Sequence, residues 1–346
     1  MDLLQATLAK ITAPDTDIMD QIQKRLDVLI QPAGSLGRLE QMVRQYAGIT
    51  GELEPRLPRS CMVVASADHG VARQTVSAYP IETTMHMTAN YLISKGASAN
   101  AFANFSESDM VVVDAGVAGD LSHVPGLWQR KIAYGTRDFT QGPAMTRAEA
   151  IQAIETGIEI VNTKAGEGFT CFSLGEMGIG NTTASAAIVG AFTGLSPEQI
   201  TGRGTGISDS RLQVKIGIVC RALALNKPDG SDGLDVLAKV GGFEIGVLAG
   251  VVLGCAANRC AVMIDGLNTT AAALIANAIH PVCQKYIFAS HLSGEPAHII
   301  ALRYLNLEAC LDMGVRLGEG IGASVAIDML RMAIKLLRIT GGQVNV

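Results

Sequence analysis

The chain has 346 residues, enough for one large domain or two smaller ones at roughly 150 residues each. Its 27 Lys and Arg against 32 Asp and Glu leave a net charge of −5, which speaks against a general binder of nucleic acid or anionic membrane. Hydrophobic residues at 48% and charged residues at 17% exclude intrinsic disorder.

In chain order, helical spacing comes first. Ile18, Ile22, Leu26 and Leu29 form one apolar stripe, and Leu36, Leu39, Val43 and Tyr46 form another. Short apolar runs then alternate with longer helical periodicities. Strands are predicted at 61–66, 110–113, 169–174, 260–264 and 286–290, and helices over 84–105, 148–165, 182–192, 244–257 and 270–278. Each strand run is apolar on both faces, as buried parallel strands are. The chain closes on a third helical stripe, Val325, Met329, Met332, Ala333, Leu336 and Leu337, with Arg331, Lys335 and Arg338 suited to a helix C-terminal half. The pattern predicts an α/β protein with a Rossmann-like, mostly parallel sheet and helices on both faces over 60–310. A small helical domain is expected from the two ends, 1–59 and 311–346. The longest uncharged apolar stretch, 245–257, is shorter than the roughly 20 residues of a membrane span. The start, Met1-Asp2, lacks the basic and apolar regions of a secretory signal. Seven scattered cysteines without framework spacing suit a reducing cytoplasm.

Parallel sheets bind ligands where strands end, and acidic residues recur there: Asp68, Asp114, Glu176, Asp265 and Glu295. A lone Asp-Gly after a strand is usually only a turn. The loop 175–183 is the strongest motif. Gly175, Gly178 and Gly180 separate a strand from a helix that Asn181 or Thr182 could cap. Glycine lets backbone N–H groups approach an anion at a helix start, and the spacing is neither the dinucleotide fingerprint nor the Walker loop, so a phosphate cradle or a capped glycine turn fits. A second loop, Gly202-Arg203-Gly204-Thr205-Gly206, precedes a Ser208-Asp209 cap, with Lys215 about two turns on. Arg203 and Lys215 offer a phosphate its cationic partners, or else belong to a solvated surface loop. In the third cluster, Gly318, Gly320 and Gly322 surround Glu319, and glycine that dense is poor helix material. A planar ligand packed on Gly318 and Gly320 with Glu319 at its edge would explain it, as would an exposed first-turn Glu. The six histidines show no HExxH spacing, and no metal and no cofactor are expected.

Taken together, Pro32-Ala33-Gly34-Ser35-Leu36-Gly37-Arg38-Leu39-Glu40, Ala67-Asp68-His69-Gly70-Val71, Val76-Ser77-Ala78-Tyr79-Pro80, the loop 175–183, Lys239-Val240-Gly241-Gly242-Phe243-Glu244, Asp265-Gly266, Ser290-His291-Leu292-Ser293 and the segment 316–323 resemble one family. It is nicotinate-nucleotide–dimethylbenzimidazole phosphoribosyltransferase, of the cobalamin pathway. The resemblance implies transfer of the 5-phosphoribosyl group from nicotinate mononucleotide to 5,6-dimethylbenzimidazole or a related base, with inversion at the anomeric carbon. It also implies a homodimer with a parallel-sheet domain and a small helical domain from both termini. Glu319 matches the family's general base and Glu176 a second active-site glutamate. The glycine loops, with Gly178, Asn181, Thr182, Gly202, Gly204 and Lys215, match the region that holds the phosphate. Asp265 and Ser290, at strand ends, join the substrate-binding set, and Tyr79, Met87, Met177 and Leu317 are expected to line an apolar slot for the ring. Three places depart from the family's pattern: 81–87 has no Gln, Ile321 follows Glu-Gly, and Glu295-Pro296 differs, all of which bear on the choice of base.

A dinucleotide-dependent oxidoreductase would need a fingerprint that Ala67–Val71 does not supply. A transferase using phosphoribosyl pyrophosphate would carry paired acidic residues after an apolar strand, where Asp114 stands alone. A nucleotide-sensing protein would keep the glycine loops without needing Glu319.

Overall fold

A computed structural model describes residues 2–29 and 32–339. Met1, Ile30, Gln31 and residues 340–346, which the expected helical domain includes, lie outside the described residues. The strands are β1 (Ser60–Ala67), β2 (Asp109–Gly116), β3 (Trp128–Gln129), β4 (Cys171–Met177), β5 (Ala261–Ile264) and β6 (Ile287–Ala289). They form one sheet in the order β3-β2-β1-β4-β5-β6, and every pairing is parallel. Helices cover both faces, so β1 is buried along its whole length.

Alternation along β1 divides the core. Cys61, Val63 and Ala65 join the main apolar cluster, whereas Met62 and Val64 face a smaller one with Tyr91, Ala99 and Val112. The Phe243–Ala257 helix, buried over nearly its full length, packs against Arg147–Gly166 on the main side. At the ends of the chain, the Thr16–Asp27 helix is capped by Asp15 and packs on Arg38–Thr50. The Ile321–Ile339 helix packs on Arg38–Thr50 and also on β4, β5 and the Ser98–Phe105 helix. No helix among the described residues is long and apolar enough to cross a membrane.

Two expectations need correction. The predicted helix over 84–105 is two helices, Thr83–Leu92 and Ser98–Phe105, because Lys95 adopts φ +52° beside Gly96 and breaks the chain direction. Neither Asn181 nor Thr182 caps the helix after β4. Gly180, with φ +98°, holds the cap position, and the Asn181 side chain is turned to Glu176 instead. The structure also adds β3, whose two residues pair with Val113 and Asp114 and are too short to leave a periodic signal.

The topology places the site. Strand order steps outward from β1 to β2 and β3 on one side and from β4 to β5 and β6 on the other, so the C-terminal ends of β1 and β4 form the switch point where such sheets bind ligands. Ser66 pairs with Met177, which sets the loops after β1 and β4 side by side.

Candidate active site

The loop after β4 rests on a buried ion pair from two other elements. His69 Nε2 lies 2.6 Å from Glu244 Oε1, and both side chains are fully buried. Burial disfavours the imidazolium, yet the adjoining Glu244 carboxylate outweighs it and raises the His69 pKa. A Cβ on Gly178 would stand 2.6 Å from the Ala67 carbonyl and 3.3 Å from His69 Nε2, so only glycine passes here. Close packing is thus what Gly178 provides. Thr84 Oγ1 accepts the Ile179 N–H at 3.0 Å and ties the loop to the Thr83–Leu92 helix.

Glu176, near the end of β4, is 8% exposed. Its carboxylate accepts from the amides of Asn181 and Asn268, and Ser185 donates to Asn268 Oδ1 at 2.8 Å, aiming that amide's N–H groups at Glu176. Burial wins over these donors and pushes the Glu176 pKa up to about 7.

Glu319 sits directly opposite. Gly318, Glu319 and Gly320 take φ of +86°, +60° and +83°, three left-handed residues in a row. A Cβ on Gly318 would stand 2.5 Å from Glu176 Oε1, and one on Gly175 would stand 2.8 Å from the Glu319 carbonyl oxygen. The two loops therefore interlock through glycine. Glu319 is 6% exposed, not the solvent-exposed first-turn residue that its spacing also allowed. Its Oε2 accepts the Ala99 N–H at 3.4 Å. Burial raises its pKa against the opposing pull of that amide and of the Tyr91 hydroxyl.

Asp265, at the end of β5, is read differently from its sequence position. It is 1% exposed and accepts the N–H groups of Gly320 at 3.3 Å and Ala323 at 3.1 Å. The amides of Gly322 and Gly266 also point to it, and its pKa is still pushed up to about 7 by burial. It holds the start of the Ile321–Ile339 helix, where a carboxylate is electrostatically welcome. The His291 ring lies against Gly322, its Nδ1 3.6 Å from Asp265 Oδ1 and 3.2 Å from the buried Ser290 hydroxyl.

The two glycine loops meet. Lys215 is fully buried and donates to Thr182 Oγ1 at 2.8 Å, joining the helix after the second loop to the helix after β4. A Cβ on Gly204 would lie 3.1 Å from Lys215 Nζ. Burial lowers the Lys215 pKa to about 8, with the Glu295 charge opposing. Glu295 accepts the Gly204 N–H at 2.8 Å, and its carboxylate fills the space beside Gly202. An internal carboxylate therefore takes the Gly204 amide that a phosphate would want. Arg203, expected as a second cation, is instead bound to Asp209 and to the Ile207 carbonyl.

Of the four slot residues, Met87 and Met177 pack against the smaller apolar cluster beside Tyr91, while Tyr79 and Leu317 are 58% and 57% exposed. Ser77 and the Ala78 N–H bond to Thr205 Oγ1 at 3.1 and 2.8 Å, tying the 76–80 segment to the second glycine loop. Asp114 belongs to its turn: it pairs with Lys131 at 2.8 Å and accepts the Val117 N–H. A cleft of about 630 Å³ opens beside Asp68, His69 and Gly70, and another of about 790 Å³, between Arg38, Gln45 and β6, touches none of the carboxylates described above. Tyr91, Ala99, Ser185 and Asn268 stand in no motif of the sequence, and His69 and Glu244 stand in two separate ones that carry no sign of their pairing. They are brought to Glu319 and Glu176 by the topology.

This geometry offers a buried carboxylate at an apolar wall, a second carboxyl beside it, and, where the two glycine loops meet, a buried lysine with a loop amide held by Glu295. A family model described as phosphoribosyltransferase matches residues 11–341. The nicotinate-nucleotide–dimethylbenzimidazole phosphoribosyltransferase of Geobacter metallireducens is 47% identical over 98% of this chain and 96% of its own length. The protein of the same name from Chloroflexus aggregans is 49% identical over 97% of this chain and 95% of its own. The crystal structure of the enzyme of that name from Thermus thermophilus superposes with a TM-score of 0.88 at 41% identity, covering 94% of this chain and 96% of that one.

Proposed function

The chain belongs to the nicotinate-nucleotide–dimethylbenzimidazole phosphoribosyltransferase family, and on that premise we propose that Glu319 is the proton acceptor of its reaction. The enzyme moves the 5-phosphoribosyl group from nicotinate mononucleotide to 5,6-dimethylbenzimidazole, giving α-ribazole 5′-phosphate and nicotinate. One ring nitrogen of the base forms a bond to the anomeric carbon. The bond from that carbon to the pyridinium nitrogen breaks, and its electron pair neutralises the departing nicotinate ring. The leaving group needs no proton. The other ring N–H of the base becomes acidic as the bond forms, and Glu319 takes that proton.

The observation that carries this reading is the conformation and burial of Glu319 together. A non-glycine residue held left-handed between two left-handed glycines costs of order 1–3 kcal/mol, and such strain collects where function requires it. The carboxylate is buried, and burial raises its pKa toward working pH, which suits a base. Glu176, with a pKa of about 7, supplies negative charge near the ribose when ionised and favours cationic character at the anomeric carbon. The 5′-phosphate takes the cradle of Gly178, Asn181, Thr182, Gly202, Gly204 and Lys215, displacing Glu295. Met87 and Met177 form the wall for the ring, Tyr79 and Leu317 its rim. Ser290 and Asp265 support the site from behind.

The same reading takes the enzyme as a cytoplasmic homodimer, with seven free thiols in keeping with a reducing compartment. It keeps 60–310 as the substrate-binding domain and 1–59 with 311–346 as the helical one, in line with the packing of the terminal helices on each other. The test is nicotinate release from the two substrates. Glu319→Gln, folded as judged by its melt, is expected to lose at least tenfold and on the order of 10²–10⁴-fold. Full activity in that variant would overturn the assignment.

A further inference from the structure

Tyr91 is a fully buried side chain on the Thr83–Leu92 helix. A buried phenol usually finds a hydrogen-bond partner, and among the described residues this hydroxyl has none of full geometry. The carboxylates of Glu319 and Glu176 lie near enough to act on it, Glu319 the more strongly. Burial, then these two charges, raise its pKa well above the ordinary value, so the phenol keeps its proton and remains a donor.

A second donor reaches the same carboxylate from the next helix. The Ala99 N–H bonds Glu319 Oε2, and Ala99 opens the Ser98–Phe105 helix. Asn100 ties the ends of the two helices together. Its side-chain amide donates to the Tyr91 carbonyl at 2.9 Å, and its Oδ1 accepts the Ala97 N–H at 3.3 Å. Across the break at 93–97 that divides the expected single helix, the Tyr91 backbone is thus fixed to the start of the helix whose Ala99 amide reaches the Glu319 carboxylate.

We infer that Tyr91 is a positioning residue for Glu319: its hydroxyl donates to the carboxylate and, with the Ala99 amide, holds it ionised and aimed at the ring N–H of the incoming base. The inference deepens the assignment of Glu319 as base and rests on it. Other titratable groups also border this region: Glu176 from β4, Asp265 from the end of β5, and His291 against Gly322. Removing the Tyr91 hydroxyl leaves all three in place. A donor to a carboxylate favours the charged form, so its loss raises the pKa of Glu319.

The experiment is the pH profile of kcat/KM for nicotinate release in wild type, Tyr91→Phe and Glu319→Gln, each with a thermal melt. Tyr91→Phe is expected to shift the acid limb upward by about one pH unit, the size of one hydrogen bond to a charged carboxylate, and to recover most of its rate at high pH. Replacement of Tyr91 by 3-fluorotyrosine, a stronger donor, is expected to shift the limb downward and keeps the test open should the phenylalanine variant fail to fold. An acid limb in either variant that coincides with wild type overturns the role of Tyr91. Full activity in Glu319→Gln overturns the underlying assignment instead, so the two failures are told apart.

Discussion

The Asp265 carboxylate accepts the backbone N–H of Gly320, the residue that follows Glu319, at 3.3 Å. This makes Asp265 a support for the strained turn, since its side chain is enclosed and its oxygens are taken up by backbone amides. Asp265→Ala strands those amides and is expected to cost about 1–3 kcal/mol of stability and to lower kcat while leaving the KM for nicotinate mononucleotide near wild type. Steady-state kinetics with a denaturant melt check this. A raised KM at unchanged kcat would instead assign Asp265 to the substrate.

Gly318 is the point where the Glu176 and Glu319 loops touch. In Gly318→Ala the new methyl meets Glu176 Oε1, and the left-handed φ of +86° is strained for any side chain. Glu176 is held by Asn181 and Asn268 and yields only by giving up those bonds. We expect a stability loss of about 1–2 kcal/mol and a fall in kcat larger than the change in either KM. A melt and kinetics indistinguishable from wild type would show that the loops do not interlock as described.

Lys215 carries a pH signature. With a pKa of about 8 in the unliganded chain, it loses its charge as pH rises through that value. The KM for nicotinate mononucleotide is therefore expected to climb above about pH 8 in wild type. Lys215→Gln should show a high KM at every pH, and no such climb. Folding has its own sign: the unfolded chain binds this proton more tightly, so the Lys215 contribution to stability improves as pH rises between about 8 and the ordinary 10.5.

The His69–Glu244 pair supports the floor of the site. His69→Leu leaves Glu244 buried without its partner and is expected to cost about 3–5 kcal/mol, whereas the double variant His69→Leu, Glu244→Leu should recover much of that loss. Because the His69 pKa is raised in the folded chain, the pair's stabilisation is complete below its ordinary 6.5 and is lost as pH rises through the higher folded value. Urea melts of wild type across that window should soften with rising pH, and those of the double variant should lack this contribution.

Legibility in the sequence follows the range of the interaction. Runs such as Cys61–Ala65 announce buried strands because both faces are covered, whereas a helix such as Thr16–Asp27 keeps its periodicity because one face stays in water. The break at Lys95-Gly96 escapes because apolar spacing continues across it. Glu319 and Glu176 stand out through the glycines around them, which the structure explains by loop contact, and Lys215 through its distance from a helix cap. Arg203 reads as a phosphate partner until Asp209, only six residues on, is seen to capture it. The Ala99–Glu319 contact joins residues 220 apart and the His69–Glu244 pair residues 175 apart, so no local pattern marks them as neighbours. Tyr91 reads as one more apolar helix position until its hydroxyl is found near two carboxylates.

The proton-acceptor role of Glu319 is decided by a crystal structure of the protein holding both nicotinate mononucleotide and 5,6-dimethylbenzimidazole. A Glu319 oxygen is expected within about 2.6–3.2 Å of one ring nitrogen, with the other ring nitrogen facing the anomeric carbon. A bound ring whose nitrogens both lie out of reach of Glu319, with the carboxylate turned to solvent, would refute that role.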